Sequence, residues 1–231
     1  MMRFKLFLFC VVCALLLPVG AMSAPKSKSS SGIECEWKLL GEEEGIKTYS
    51  SCKENSPITQ FRSVAILDFP IEVLLEVLAD VPSYPKWMPD VIETTVLKEF
   101  HNGIERGNFY VHVIYDSQWP VEDRDVVLET IPKTDWNKGV SIVTLRKLHN
   151  YAFPEKKNLI RMRELDSAFK FEYIERNKTM VTFTTFVDIG GLISPKLARL
   201  QAEPVPYETL EGLTRIAKDK KYFEAAAKEY Y

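Results

Sequence analysis

Thr179-Met-Val-Thr-Phe-Thr-Thr-Phe-Val187, continued by Asp188-Ile-Gly190-Gly191-Leu-Ile-Ser194-Pro195, is the stretch on which the fold turns. Its first half reads as a strand, with Val181, Phe183, Thr185 and Val187 sharing one face. Gly190 and Gly191 end it, because two glycines permit positive φ and a close turn. Ser194 followed by Pro195 is a helix start, a capping hydroxyl with proline at the first helical position. Strand, glycine break and helix thus follow within 17 residues. Beyond Pro195 an apolar series runs through Leu197, Leu200, Tyr207, Leu210, Leu213 and Ile216. Pro204 and Pro206 must kink or interrupt that helix.

Working back from this point, the chain is rich in strands: 58–67, 91–100, 107–115, 125–131, 140–148, 159–165 and 168–175. Turn residues separate most of them, as at Asn102-Gly103 and Asn177-Lys178. The expectation is a long antiparallel meander. Ile71, Leu74, Leu75 and Leu78 recur at helical spacing after Pro70, which marks one helix between early strands. A curved sheet of this size offers more apolar surface than one C-terminal helix can cover, so a cavity between them is expected.

Composition limits the function classes. Of 231 residues, 46 % are apolar and 27 % charged, which is a globular balance. A formal charge of −2 argues against a general nucleic-acid binder. The N-terminus reads as a secretory signal peptide over 1–23: Arg3 and Lys5, an uncharged run from Leu6 to Leu17, then small residues around Ala21 and Ser23. The run is shorter than the roughly 20 residues that span a bilayer; the competing reading is an uncleaved anchor. Cleavage would remove Arg3 and Lys5 and take the charge to −4. A Ser/Lys linker covers 24–34, and one domain covers 35–231.

Cys10 and Cys13 fall inside the apolar run and are not read as a redox motif. Cys35 and Cys52 flank a hairpin; pairing Leu40 with Lys47 sets them opposite each other, so a cross-strand disulfide is expected, with two free thiols as the alternative. The protein is accordingly read as exported, to a periplasmic or extracellular space.

Three stretches carry a resemblance. Tyr84-Pro-Lys-Trp87-Met-Pro-Asp-Val-Ile-Glu follows the first helix, Trp119-Pro120-Val-Glu-Asp-Arg124-Asp125-Val-Val opens a strand, and Val187-Asp-Ile-Gly190-Gly191-Leu-Ile-Ser-Pro195 leads into Pro206-Tyr207-Glu-Thr-Leu210-Glu-Gly-Leu213. In this order and spacing they resemble the START family of lipid-transfer domains, most of all its exported bacterial members. The match runs from about Trp37 to Tyr222. Ile189, where the family often has proline, and the additional Pro204 depart from it. The resemblance implies an α+β helix-grip fold: a curved antiparallel sheet wrapped around a long C-terminal helix, with an internal apolar cavity. It also implies that the loop holding Trp119 helps gate the cavity and touches membrane; the bland alternative is that Trp119 packs against its own loop.

Candidate cavity residues are Trp87, Tyr110, His112, Arg124, Arg146, Phe183, Leu210 and Leu213. Trp87 can equally be a core plug. Tyr110 and His112 share one face of their strand, and which face points inward is left open. Adjacent strand residues point to opposite sides, so Arg124 and Asp125 each need a separate partner; Arg124 either anchors a loop or meets a ligand's polar group.

Catalytic patterns are scarce. His101, His112 and His149 lack metal-binding spacing, and no serine elbow or free catalytic thiol stands out. No metal, cofactor or catalytic residue is expected. The reading is a monomeric, non-enzymatic binder or carrier of one lipid-like molecule, with transient membrane contact and no nucleic acid. The alternative is a polyketide cyclase or aromatase working in the same cavity, and a filled structural core is a third.

Overall fold

The computed structural model describes residues 35–54, 56–100, 107–117 and 121–230. The expected signal peptide, the linker and Trp119 lie outside them. The chain opens with β1 (Lys38–Glu43), β2 (Ile46–Lys53) and β3 (Ser56–Leu67), then α1 (Ile71–Ala79) and a 3₁₀ segment, Val81–Lys86. Next come β4 (Val91–Glu99), β5 (Phe109–Tyr115), β6 (Arg124–Asp135), β7 (Val140–Lys147), β8 (Ile160–Arg161), β9 (Glu164–Glu175) and β10 (Lys178–Asp188). Three helices close it: α2 (Pro195–Ala202), α3 (Val205–Ile216) and α4 (Lys220–Tyr230).

The strands form one curved α+β helix-grip sheet in the order β1-β2-β3-β10-β9-β7-β6-β5-β4, with β8 beside β6. It is two meanders joined where β3 pairs with β10, Thr182 opposite Val64. The strand expected over 159–165 divides in two: β8 is a two-residue parallel pairing with β6, and Glu164 already begins β9. Arg163 breaks the run, donating its backbone N–H to Asp188 O instead.

The first hairpin is also shifted by a residue or two from the expected pairing. Leu39 faces Tyr49 and Gly41 faces Thr48, so Leu40 occupies a bulge. The disulfide Cys35–Cys52 forms nonetheless, with Cα atoms 5.1 Å apart. Cys35 precedes β1, so its position is not set by the shifted ladder.

The single long C-terminal helix is three segments. Pro204 caps α3 and Pro206 occupies its first turn, so neither can donate into a continuous ladder. Ser194 caps α2 as expected, accepting from Leu197 N at 3.3 Å.

The concave face of the sheet holds the core. Alternation along β9 buries Leu165, Ser167, Phe169 and Phe171, and along β10 it buries Val181, Phe183 and Thr185. Against one end of this face pack α1, through Ile71, Leu74, Leu75 and Leu78, and α3, through Leu210 and Leu213. Ser63 Oγ donates to Pro206 O at 2.7 Å and pins α3 to β3. Gly212 is where α3 meets the 3₁₀ segment: a Cβ there would stand 2.0 Å from Trp87 O.

Candidate functional site

The other end of the concave face is not filled. A cavity of about 960 Å³ lies between the inner faces of β3, β6, β7, β9 and β10 and the helix α2. Its wall is the inward alternation of those strands, including Phe61, Leu128, Leu165, Phe169, Phe183 and Val187. Its roof is α2, every residue of which borders the cavity, while none is buried. Leu192 and Leu200, at 107 % and 60 % relative exposure, turn to solvent. A helix that borders a cavity without burying a residue leaves the space beneath it open.

Polar groups stand at defined points on this apolar wall. Ser167 and Thr185 face each other across β9 and β10, their hydroxyls 2.7 Å apart. Arg124 is 1 % exposed and stands opposite Tyr115 on the inner side of β6 and β5. Its guanidinium donates to the carbonyl oxygens of Glu122 and, at 3.4 Å, Ile189. Burial pulls its pKa down, opposed by the charges of Glu122 and Asp123. Gly191, at φ 75°, closes over Arg124: a Cβ there would lie 3.1 Å from Nη2. Asp90, Asp116 and Glu208 also border the space. Burial raises the Asp90 and Glu208 pKa values; Asp116 adds to the first, and Asp90 and Glu211 to the second.

Asp125, the next residue, points the other way. It accepts from Arg161 Nε at 2.7 Å and Nη2 at 3.0 Å, and its Oδ2 lies 2.8 Å from His112 Nε2. Phe153 lies over the His112 ring at 4.4 Å between centroids. Burial alone would raise the Asp125 pKa, but the hydrogen bonds from Arg161 and His112 outweigh it and hold it low. This network closes the convex side of the sheet.

The structure therefore sorts the candidates. Arg124 and Phe183 border the cavity. Leu210 and Leu213 are fully buried in the packed end of the core, outside the lining. Trp87 is packed there too, edge-on to Tyr84 at 5.7 Å and 6.4 Å from Phe169; its Nε1 has no hydrogen-bond partner among the described residues. Tyr110 and His112 are on the convex side, Tyr110 against Tyr151 at 5.4 Å. Arg146 is an exposed residue paired with Asp166 at 3.4 Å. For Tyr110 and His112 the cause is the phase of their strand. Both faces of β5 are largely apolar, so alternation alone does not set its phase; the partner strand does, by placing Val111, Val113 and Tyr115 beside Leu128, Val126 and Arg124. Neither Tyr115 nor any residue of α2 is among the cavity candidates read from the sequence, although the helix start at Ser194-Pro195 is legible there. The available signal was the polar pair Tyr110 and His112, which marks their face as the less apolar one.

Among the described residues no cluster of His, Cys, Asp and Glu could hold a metal ion, and no helix is long and apolar enough to cross a membrane.

The family model for the START domain matches residues 24–202. The chain belongs to the START domain family. A crystal structure of a STAR-related lipid transfer protein from Xanthomonas axonopodis is similar to this START protein, with a TM-score of 0.71 and 26 % identity over 79 % of this chain and 99 % of that one. Human STARD10 shares the fold, with a TM-score of 0.70 at 17 % identity over 83 % of this chain and 76 % of that one. An uncharacterized protein of Pseudomonas aeruginosa is 28 % identical over 185 residues, 80 % of this chain and 88 % of that protein. In this START domain the matched region ends with α2, so α3 and α4 follow the part that the family model covers.

Proposed function

We propose that this START protein binds, and carries or transfers, a single lipid-like hydrophobic molecule in the space between its sheet and α2. The observation that carries the reading is the apolar cavity of about 960 Å³ beside a core that is otherwise packed. That volume is at the upper end of the range for small-molecule sites. The mechanism is desolvation: each methylene removed from water contributes about 0.8 kcal/mol, so a long chain is held without chemistry. Wall residues such as Phe183 supply apolar contact, and release requires α2 to move away from the sheet. The glycines before α2 and Pro204 after it make that segment mechanically separable from α3.

The protein is a carrier and not an enzyme in this reading. It is exported after removal of residues 1–23, with 24–34 as a linker segment and 35–231 as the binding domain. The Cys35–Cys52 disulfide is compatible with an oxidising compartment. Transient contact of a monomer with membrane, including through Trp119, belongs to the same proposal; exposed Leu192 and Leu200 beside the cavity favour it.

Native mass spectrometry of the chain isolated from its own compartment, followed by organic extraction, tests the reading. A stoichiometric apolar adduct is expected. A clean apo mass with no saturable uptake from a lipid panel would overturn it, and turnover of an added polyketide would replace it with cyclase-type catalysis.

A further inference from the structure

Among the described residues Arg124 is the largest side chain that is essentially fully buried, and it is a cation. A buried charge is stable only when it is paired or fully hydrogen-bonded. Its neighbour Asp125 satisfies that rule on the convex side with Arg161 and His112. Arg124 does not satisfy it in the same way. Its partners are two neutral carbonyls, those of Glu122 and Ile189, which engage Nη1 and Nε. No carboxylate oxygen among the described residues lies within 4.0 Å of it. Glu122 and Asp123 act on it only at longer range. Nη2 has no hydrogen-bond acceptor among the described residues; it rests against Gly191, where a side chain would crowd it. A guanidinium has five N–H donors in a planar fork.

Of the other cations bordering the cavity, Lys196 is exposed to solvent on α2, and the two arginines have carboxylates. Arg163 is paired with Asp188 at 4.0 Å and Arg199 with Glu203 at 3.3 Å. Among the described residues bordering the cavity, Arg124 alone combines a buried, carbonyl-clamped guanidinium with an apolar wall and no carboxylate within 4.0 Å.

The geometry points to Arg124 as the receptor for an anionic head group, so that the cavity's ligand is an anionic amphiphile: an apolar chain ending in a carboxylate or a phosphate. This deepens the carrier reading and rests on it. The carbonyls of Glu122 and Ile189 fix the guanidinium plane, and the donors left over donate charge-assisted hydrogen bonds to the head group's oxygens. The chain of the ligand then lies along the wall formed by Phe183 and Leu165.

The test uses the full chain and displacement of the neutral dye Nile red by oleate, by its neutral methyl ester and by oleyl phosphate, each below its aggregation threshold. Oleate or oleyl phosphate is expected to displace the dye at a concentration about tenfold to hundredfold lower than methyl oleate. The better of the two identifies a carboxylate or a phosphate head group. In Arg124→Gln the preference over the ester is expected to shrink to within about twofold while the dye still saturates, and Arg124→Lys is expected to keep part of it. Equal displacement by acid and ester in the unmodified protein overturns the assignment and leaves the carrier reading standing; so does a preference that Arg124→Gln leaves unchanged. Absence of any saturable binding of dye or lipid overturns both. The comparison of acid with ester needs no variant, so misfolding of Arg124→Gln does not blunt it.

Discussion

The two ends of the concave face are built from the same strands and end differently. At one end α1 and α3 press Leu74, Leu78, Leu210 and Leu213 into the sheet, and Trp87 closes the seam. At the other, α2 buries nothing and a cavity of about 960 Å³ remains. Phe169 touches both: it meets Trp87 on one side and borders the cavity on the other. The sheet does not decide between core and cavity. What decides is whether the covering helix brings apolar side chains down to meet it.

The largest effect is expected at the filled end. Leu213→Ala removes a fully buried side chain and should cost about 2–5 kcal/mol, read from the urea midpoint, while uptake of a neutral apolar dye by the folded fraction stays unchanged. A small loss would mean that this end is not close-packed and would break the contrast.

Asp125→Asn tests the wall from outside. It strips Arg161 and His112 of a carboxylate and should cost about 3 kcal/mol. The pH dependence has a definite sign. The folded pKa is below the unfolded value of about 3.9, so the stabilisation is complete above that value and is lost as pH falls through the lower folded one. Urea midpoints from pH 7 down to pH 2 should fall in the wild-type protein, and the Asn variant should lose part of that acid limb. An unchanged limb would remove Asp125 from the account.

Gly212→Ala drives a methyl toward Trp87 O at the seam between α3 and the 3₁₀ segment. A cost of about 1–3 kcal/mol in thermal or urea unfolding is expected. At the open end the same kind of change should be nearly silent for stability. Val187→Phe adds bulk beside empty space and should shift stability by less than about 1 kcal/mol, yet lower dye or lipid binding clearly. If Val187→Phe destabilised as strongly as Gly212→Ala, the two ends would be equally packed.

Much of this architecture is legible in the chain. The apolar spacing after Pro70 marks α1, Ser194-Pro195 marks the start of α2, and Pro204 and Pro206 mark the break before α3. The alternation of Val181, Phe183, Thr185 and Val187 marks the wall strand and its inward face. Less of the site is legible. The phase of β5 is not, because Val111, Val113 and Ile114 make both faces apolar. Arg146 reads as a cavity candidate on residue type alone, and its place at the sheet surface depends on pairing with β9. The 159–165 segment looks like one strand because nothing local shows that β8 pairs parallel to β6.

By itself, then, the sequence determined most of the elements, their order and the helix breaks, and made the cysteine pair an expectation, since these follow from local backbone preference and short-range spacing. The tertiary structure alone decided which face of β5 looks inward, which half of the concave surface is filled, and that Arg124 is buried with no carboxylate partner among the described residues while Asp125 has two cationic or hydrogen-bonding neighbours. Those outcomes depend on which strand or helix lies opposite, and burial and pairing are properties of the assembled neighbours, not of the residues taken in order.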